Sequence, residues 1–98
     1  MGRFAARVGD PTAHGHPLGP GPGCQNVRIA GMPAWRATID THSCPLTTPS
    51  AHGIGVVSMG SARVLVGGVP LARVGDSVVE AGGGPNAILS GSTTVVAG

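Results

Sequence analysis

The chain repeats itself, and one copy of the repeat is divided between its two ends. Residues 23–36 (GCQNVRIAGMPAWR) align without gaps on residues 60–73 (GSARVLVGGVPLAR): Gly, Val, Gly, Pro and Arg fall at the same offsets and Ile29 matches Val66. A third copy opens at residues 91–98 (GSTTVVAG), and its missing half stands at the other end. There Phe4-Ala-Ala-Arg7-Val8-Gly9-Asp10 reads almost as Pro70-Leu-Ala-Arg73-Val74-Gly75-Asp76. A unit divided in this way predicts a closed arrangement in which the first and last strands are neighbours and three quasi-equivalent units surround one axis.

Each unit reads as strand, turn, strand. Val27/Ile29, Val64/Val66 and Val95/Ala97 alternate with the period of two that places apolar side chains on one face of a strand. Gly31-x-Pro33 and Gly68-x-Pro70 supply tight turns, because Gly tolerates positive φ and Pro fixes φ near about −65°. The longest Gly- and Pro-free stretch, residues 34–44, leaves room for a turn or two of helix at most. The expected fold is therefore all-β, with short strands in three pseudo-symmetric repeats forming one compact domain over residues 1–98 and little helix.

Composition bears on two points. With 18 Gly and 9 Pro among 98 residues the chain approaches low-complexity territory, yet 41% of its residues are hydrophobic and only 10% charged, the reverse of a disordered composition. The only aromatic residues of the Phe, Tyr and Trp class are Phe4 and Trp35, so the core must come chiefly from Val, Ile, Leu and Ala. Small chains with thin cores commonly add a disulfide, a metal or a partner.

Charge excludes other readings. The net charge is +2, and all six basic residues are scattered arginines at positions 3, 7, 28, 36, 63 and 73, with no aromatic residues interleaved as a stacking platform for nucleic acid. The long uncharged stretches 41–62 and 81–98 are too rich in His, Ser, Thr, Gly and Pro for stable membrane insertion. Met1-Gly2-Arg3-Phe4 opens no apolar run of a signal peptide, so the expectation is synthesis in the cytoplasm, where Cys24 and Cys44 stay reduced and metal ligation is favoured over a disulfide.

Arg and Asp recur with the repeat: Arg7 with Asp10, Arg73 with Asp76 and, one residue further apart, Arg36 with Asp40. They read as turn-forming aspartates with local ion pairs, worth roughly 0–1 kcal/mol if exposed.

All four histidines, at 14, 16, 42 and 52, lie in the first part of the chain, with Cys44 among them. In an extended segment His42 and Cys44 point to the same side, and Pro45 ends that segment. His52 follows across a connection long enough to fold back. In repeat coordinates His14 lies seven residues after Arg7, while His42 and Cys44 lie six and eight after Arg36, so pseudo-symmetry turns them toward a shared axis. His16 shares a face with His14 in an extended strand and is the alternative to it. Glu80, seven after Arg73, takes the matching place in the third unit as an acid supporting the ligands. Three imidazoles and a thiolate suit a closed, tetrahedral, structural Zn²⁺ site, one ion per chain; iron and copper also accept these donors. Cys24 fills the slot held by Ser61 and Ser92 and reads as a small buried residue.

Together these residues resemble the PAAR-repeat proteins: Pro33-Ala34-Trp35-Arg36 and Pro70-Leu71-Ala72-Arg73 stand where that family has Pro-Ala-Ala-Arg, alongside Thr12-Ala13-His14-Gly15 and Asp40-Thr41-His42-Ser43-Cys44-Pro45. The resemblance implies a small metal-stapled β-cone whose vertex holds zinc through three His and one Cys, here His14, His42, Cys44 and His52. It also implies a non-enzymatic role with no catalytic residues. Such a protein caps the trimeric VgrG-like β-helical spike of a contractile injection machine, as in type VI secretion, and leaves the cell at its tip, helping to attach effector proteins. With the repeat filling the chain, no fused effector domain is expected. The alternatives are the equivalent tip of a phage tail or extracellular contractile particle, a free-standing zinc-stabilised adaptor, and, more distantly, a zinc hydrolase with an open metal position.

Overall fold

The computed structural model describes residues 3–47 and 51–97. Gly98, which closes the third repeat copy, and positions 48–50 of the connection before His52 lie outside them. Among the described residues there is no helix; the stretch 34–44, with its room for one, holds a turn and a strand. The strands are β1 (Arg3–Phe4), β2 (Pro20–Gly21), β3 (Cys24–Ile29), β4 (Met32–Ala34), β5 (Thr41–Cys44), β6 (Gly53–Val57), β7 (Leu65–Val66), β8 (Val69–Pro70), β9 (Ser77–Glu80), β10 (Gly84–Ala87) and β11 (Val96–Ala97). The fold is all-β.

The first and last strands are neighbours. β1 pairs antiparallel with β11, Arg3 opposite Ala97 and Phe4 opposite Val96, which makes across the termini the hairpin that β3–β4 and β7–β8 make within the chain. The two internal hairpins turn on Ala30-Gly31 and Gly67-Gly68, with φ of 51° and 85°, and 59° and 80°. Both central residues are thus left-handed, as a type I′ turn requires. The prolines expected to form these turns, Pro33 and Pro70, lie instead one step on, in β4 and β8.

The carbonyls of these prolines serve the next unit. Val8 N–H donates to Pro33 O (3.0 Å), Ala37 N–H to Pro70 O (2.9 Å), and Val74 N–H to Phe4 O (2.8 Å). Inside this belt lies a closed cycle. Ala6 N–H donates to Ala72 O (2.9 Å), Ala72 N–H to Trp35 O (2.9 Å), and Trp35 N–H to Ala6 O (3.0 Å). The outer set links each unit to the next through one donor position (Val8, Ala37, Val74) and one acceptor position (Phe4, Pro33, Pro70), whereas the inner set uses the single equivalent position of Ala6, Trp35 and Ala72 and returns to its starting residue.

Packing explains why only one of the three is large. Ala6, Trp35 and Ala72 are all fully buried, in a cluster with Leu18, Ala37, Val57, Val78 and Ile88. Three indoles could not converge on one axis, so a single unit fills the space and the other two carry Ala. Trp35 is the largest fully buried side chain, which makes the one core aromatic more important than its scarcity suggests. Under the hairpins a second cluster joins Ala5, Cys24, Ile29, Ala34, Val66, Leu71 and Ala97, with Val27 and Val64 packed against it; Val95 is exposed.

The Arg–Asp turns depart from expectation. In each, the aspartate Oδ2 accepts from the arginine backbone N–H and Nε, and Oδ1 from Nη2, over 2.6–3.2 Å. The Asp side chains are at most 6% exposed, so these are not surface ion pairs. Charge-assisted, bidentate and shielded bonds of this kind exceed the value of exposed pairs. Asp40 Oδ1 also accepts from Gly23 N–H (2.9 Å), and Asp76 Oδ1 pairs with Arg3 Nη2 (3.0 Å).

Candidate metal centre

Four residues past each aspartate of these turns, the chain delivers one side chain to the same place: His14 after Asp10, Cys44 after Asp40, Glu80 after Asp76. Two of these arrive on strands of a five-stranded sheet ordered β10-β9-β6-β5-β2. In β5 the alternation buries His42 and Cys44 and exposes Ser43; in β9 it buries Val78 and Glu80 and exposes Val79. β6 runs between them, with Gly55 opposite both His42 and Glu80. His52 immediately precedes β6, and its backbone accepts from Gly82 N–H (3.0 Å).

The donor atoms of His14, Cys44, His52 and Glu80 all lie within 4.8 Å of one another. Glu80 Oε1 is 3.0 Å from His14 Nδ1 and 2.9 Å from His52 Nδ1. Cys44 Sγ is 3.5 Å from His52 Nδ1 and 3.9 Å from His14 Nδ1. A tetrahedral ion with bonds of about 2.0–2.3 Å sets its donors roughly 3.3–3.8 Å apart, so small movements suffice to take one up. The imidazoles of His14 and His52 meet edge to face at 4.9 Å.

His42 lies just behind this group. It is fully buried, its Nε2 is 3.8 Å from Glu80 Oε2, and neither ring nitrogen has a hydrogen-bond partner among the described residues. A buried imidazole with two orphaned nitrogens is costly unless something else binds it. His16 does not join the group; its backbone oxygen accepts from the Thr12 hydroxyl (2.6 Å). Gly83 completes the cradle, since a Cβ there would run into the His52 ring and Glu80 Oε1.

Burial and neighbouring groups shift three members of this neighbourhood. Burial lowers the His42 pKa, with the Glu80 charge opposing and His16 and His14 reinforcing, so the ring is held neutral. It raises the Cys44 thiol, against a backbone hydrogen bond at Leu46 and helped by the Glu80 charge. Burial also pushes Glu80 up, but the hydrogen bond from Asn86 and the nearby His14 outweigh it and hold the carboxyl below its ordinary value. Imidazoles, a carboxylate and a thiol that ionises on metal binding form the donor chemistry of a divalent transition-metal site. The residues present fit such an ion.

Counting from Arg disguised the constancy of this spacing, because Ile39 adds one residue between Arg36 and Asp40. Counting from Asp gives four in every unit, and that signal places Glu80 inside the group where the sequence assigned it a supporting part. Cys24 is buried, as expected for its slot. Ser61 Oγ and Ser92 Oγ, its equivalents, each accept from two backbone N–H groups, those of Arg63 and Val64 and of Thr94 and Val95.

The family model for the PAAR motif matches residues 9–78 and, overlapping them, 47–98. No curated protein matches the chain.

Proposed function

This chain belongs to the PAAR-motif family, and from that membership we propose that it acts without catalysis, as the tip that sharpens the spike of a contractile injection machine. On this reading its partner is a trimeric VgrG-like β-helix, with one tip seated per trimer, and it leaves the cell with the spike. The observation that supports this best is the closed hydrogen-bond cycle through Ala6, Trp35 and Ala72, together with the belt that links the three units around it. A single chain that presents one backbone arrangement three times around an axis offers similar contacts to each subunit of a threefold partner.

The metal belongs to the same reading. His14, Cys44 and His52 would hold a zinc ion, with Glu80 among the same donors and His42, the further ligand that the resemblance implies, just behind them. Bound there, zinc supplies no reaction; it cross-links side chains that the turns and strands bring from distant parts of the chain. Structural zinc contributes on the order of 10–16 kcal/mol in finger peptides, comparable with the whole roughly 5–15 kcal/mol stability of a domain.

The test is direct mixing of the purified, zinc-loaded protein with a trimeric β-helical spike protein from the same cells, read by native mass spectrometry. A complex of one chain per trimer is the expected result. No complex, at concentrations well above micromolar, would leave the free-standing zinc adaptor as the better reading.

A further inference from the structure

Asn86 is a fully buried polar residue in β10, and every hydrogen-bonding group of its amide is used. Its Oδ1 accepts from the backbone N–H of His14 (2.8 Å). Its Nδ2 donates to Glu80 Oε2 (2.8 Å) and to Thr12 Oγ1 (3.1 Å). Thr12 in turn donates its only hydroxyl hydrogen to His16 O (2.6 Å), so its oxygen is free only to accept from Asn86. A backbone N–H can only donate and a carboxylate can only accept, so the amide has one orientation.

Two contacts of this amide reach the metal centre from different sides. One fixes the backbone of His14, on the loop after the first Arg–Asp turn; the other fixes Glu80, at the end of β9. With Oε2 tied to Asn86, Oε1 is the oxygen turned toward His14 Nδ1 and His52 Nδ1. We propose that Asn86 is the positioning residue of the metal centre: it aims the Glu80 carboxylate at the donor histidines while holding the His14 loop in register with the sheet. This inference rests on the metal-binding reading above. It assigns a role in setting metal affinity to a residue that no spacing rule connects to the ligands, since 72 positions separate Asn86 from His14. Partners that orient ligands in this way change metal affinity by roughly 10–100-fold when removed.

The experiment measures zinc affinity by chelator competition, and the visible spectrum of the Co²⁺-substituted protein, for the wild type, Asn86→Ala, Asn86→Asp, Glu80→Gln and the double variant Asn86→Ala/Glu80→Gln. Asn86→Asp keeps an oxygen for His14 N–H and removes the donor to Glu80. Ser61→Ala is the control, because it removes a buried acceptor of two backbone bonds outside the site. The expected result is roughly tenfold to hundredfold weaker zinc binding in both Asn86 variants with altered cobalt bands, and a double variant weaker than Glu80→Gln by less than the single Asn86→Ala effect. Ser61→Ala should lower thermal stability and leave zinc affinity and the cobalt spectrum as in the wild type. Asn86 variants that bind zinc as the wild type does would overturn the proposal, as would a Ser61→Ala variant that loses as much affinity. Should Asn86→Ala not fold, Asn86→Asp and Glu80→Gln decide the matter by the same affinities and spectra. A wild type that binds no zinc would instead remove the metal reading itself.

Discussion

Cys44 Sγ stands 3.5 Å from His52 Nδ1, though eight residues separate them in sequence. That closeness makes Cys44 the most informative single position for the metal. Cys44→Ser, or stripping the ion with EDTA, should lower the melting temperature sharply. A loss of even about 3 kcal/mol shifts a domain of this size by roughly 12–24 °C. Calorimetry alongside elemental analysis checks it, and a melting curve that stays put once the ion is shown to be gone would end the staple idea.

The metal-free protein should have a stability optimum bounded on both sides. His42 is lowered by burial, so its contribution is present above its ordinary value of 6.5 and is lost as pH falls below it. Cys44 is raised by burial, so its contribution is present below its ordinary value of 9.0 and is lost as pH rises above it. Metal binding ionises Cys44, so the loaded protein should lose the alkaline limb and bind its ion more tightly as pH rises. Melting temperature against pH, with and without zinc, tests both limbs; an apo protein equally stable at pH 5 and pH 7 would contradict the assignment to His42.

Gly83→Ala should damage the centre without straining the backbone turn chemistry. The added methyl would meet the His52 ring and Glu80 Oε1. At least about tenfold weaker zinc binding is expected, on the scale of other losses of ligand orientation. Equal affinity in a chelator titration would show that the cradle yields easily.

Asp40→Ala should be the most destabilising of the three aspartate replacements. Asp40 is wholly buried and accepts four bonds, one of them from Gly23 in the connection between β2 and β3. Leaving such donors unpaired costs about 3–5 kcal/mol. Urea midpoints for the Asp10, Asp40 and Asp76 variants rank them, and an Asp40→Ala midpoint equal to the wild type would reduce the turn to a surface pair.

Thr38→Gly should stabilise. Thr38 has φ of 68°, at the position where the other units have Gly9 and Gly75 at 93° and 90°. A β-branched residue in that region is strained by about 1–3 kcal/mol, against roughly 0.5–1 kcal/mol for the added freedom of glycine in the unfolded chain. The net gain should appear as a rise of several degrees in melting temperature; a fall would show that the Thr38 side chain makes a compensating contact.

How far the fold could be read in advance depended on what the repeat controls. The offsets of Val, Gly, Pro and Arg are legible because each does the same local work in its unit: Val27 and Val64 pack on the hairpin cluster, Gly31 and Gly68 take the left-handed turn, Pro33 and Pro70 accept a bond from a neighbouring unit, and Arg36 and Arg73 clamp an aspartate. The grouping of His14, Cys44 and His52 was also legible, since extended alternation and pseudo-symmetry both act on spacing. Glu80 was seen at its matching place, seven after Arg73 as His14 is seven after Arg7, and was given a supporting part because three imidazoles and a thiolate already filled a tetrahedral site. Asn86 had no signal, because its role depends on contacts to Thr12 and His14 across the whole chain. The strength of the Arg–Asp turns was undervalued for a related reason: sequence gives the partners, whereas burial decides what the pairing is worth.

The amide cycle through Ala6, Trp35 and Ala72 has a further consequence, for how the molecule comes apart. A linear ladder frays from its last rung, but a loop of three bonds has no last rung, and β1 leads into the cycle two residues beyond Phe4. Opening at the chain ends therefore cannot proceed far without breaking the centre. Hydrogen exchange at these three amides should be slow and alike, reporting whole-molecule opening in place of local fluctuation.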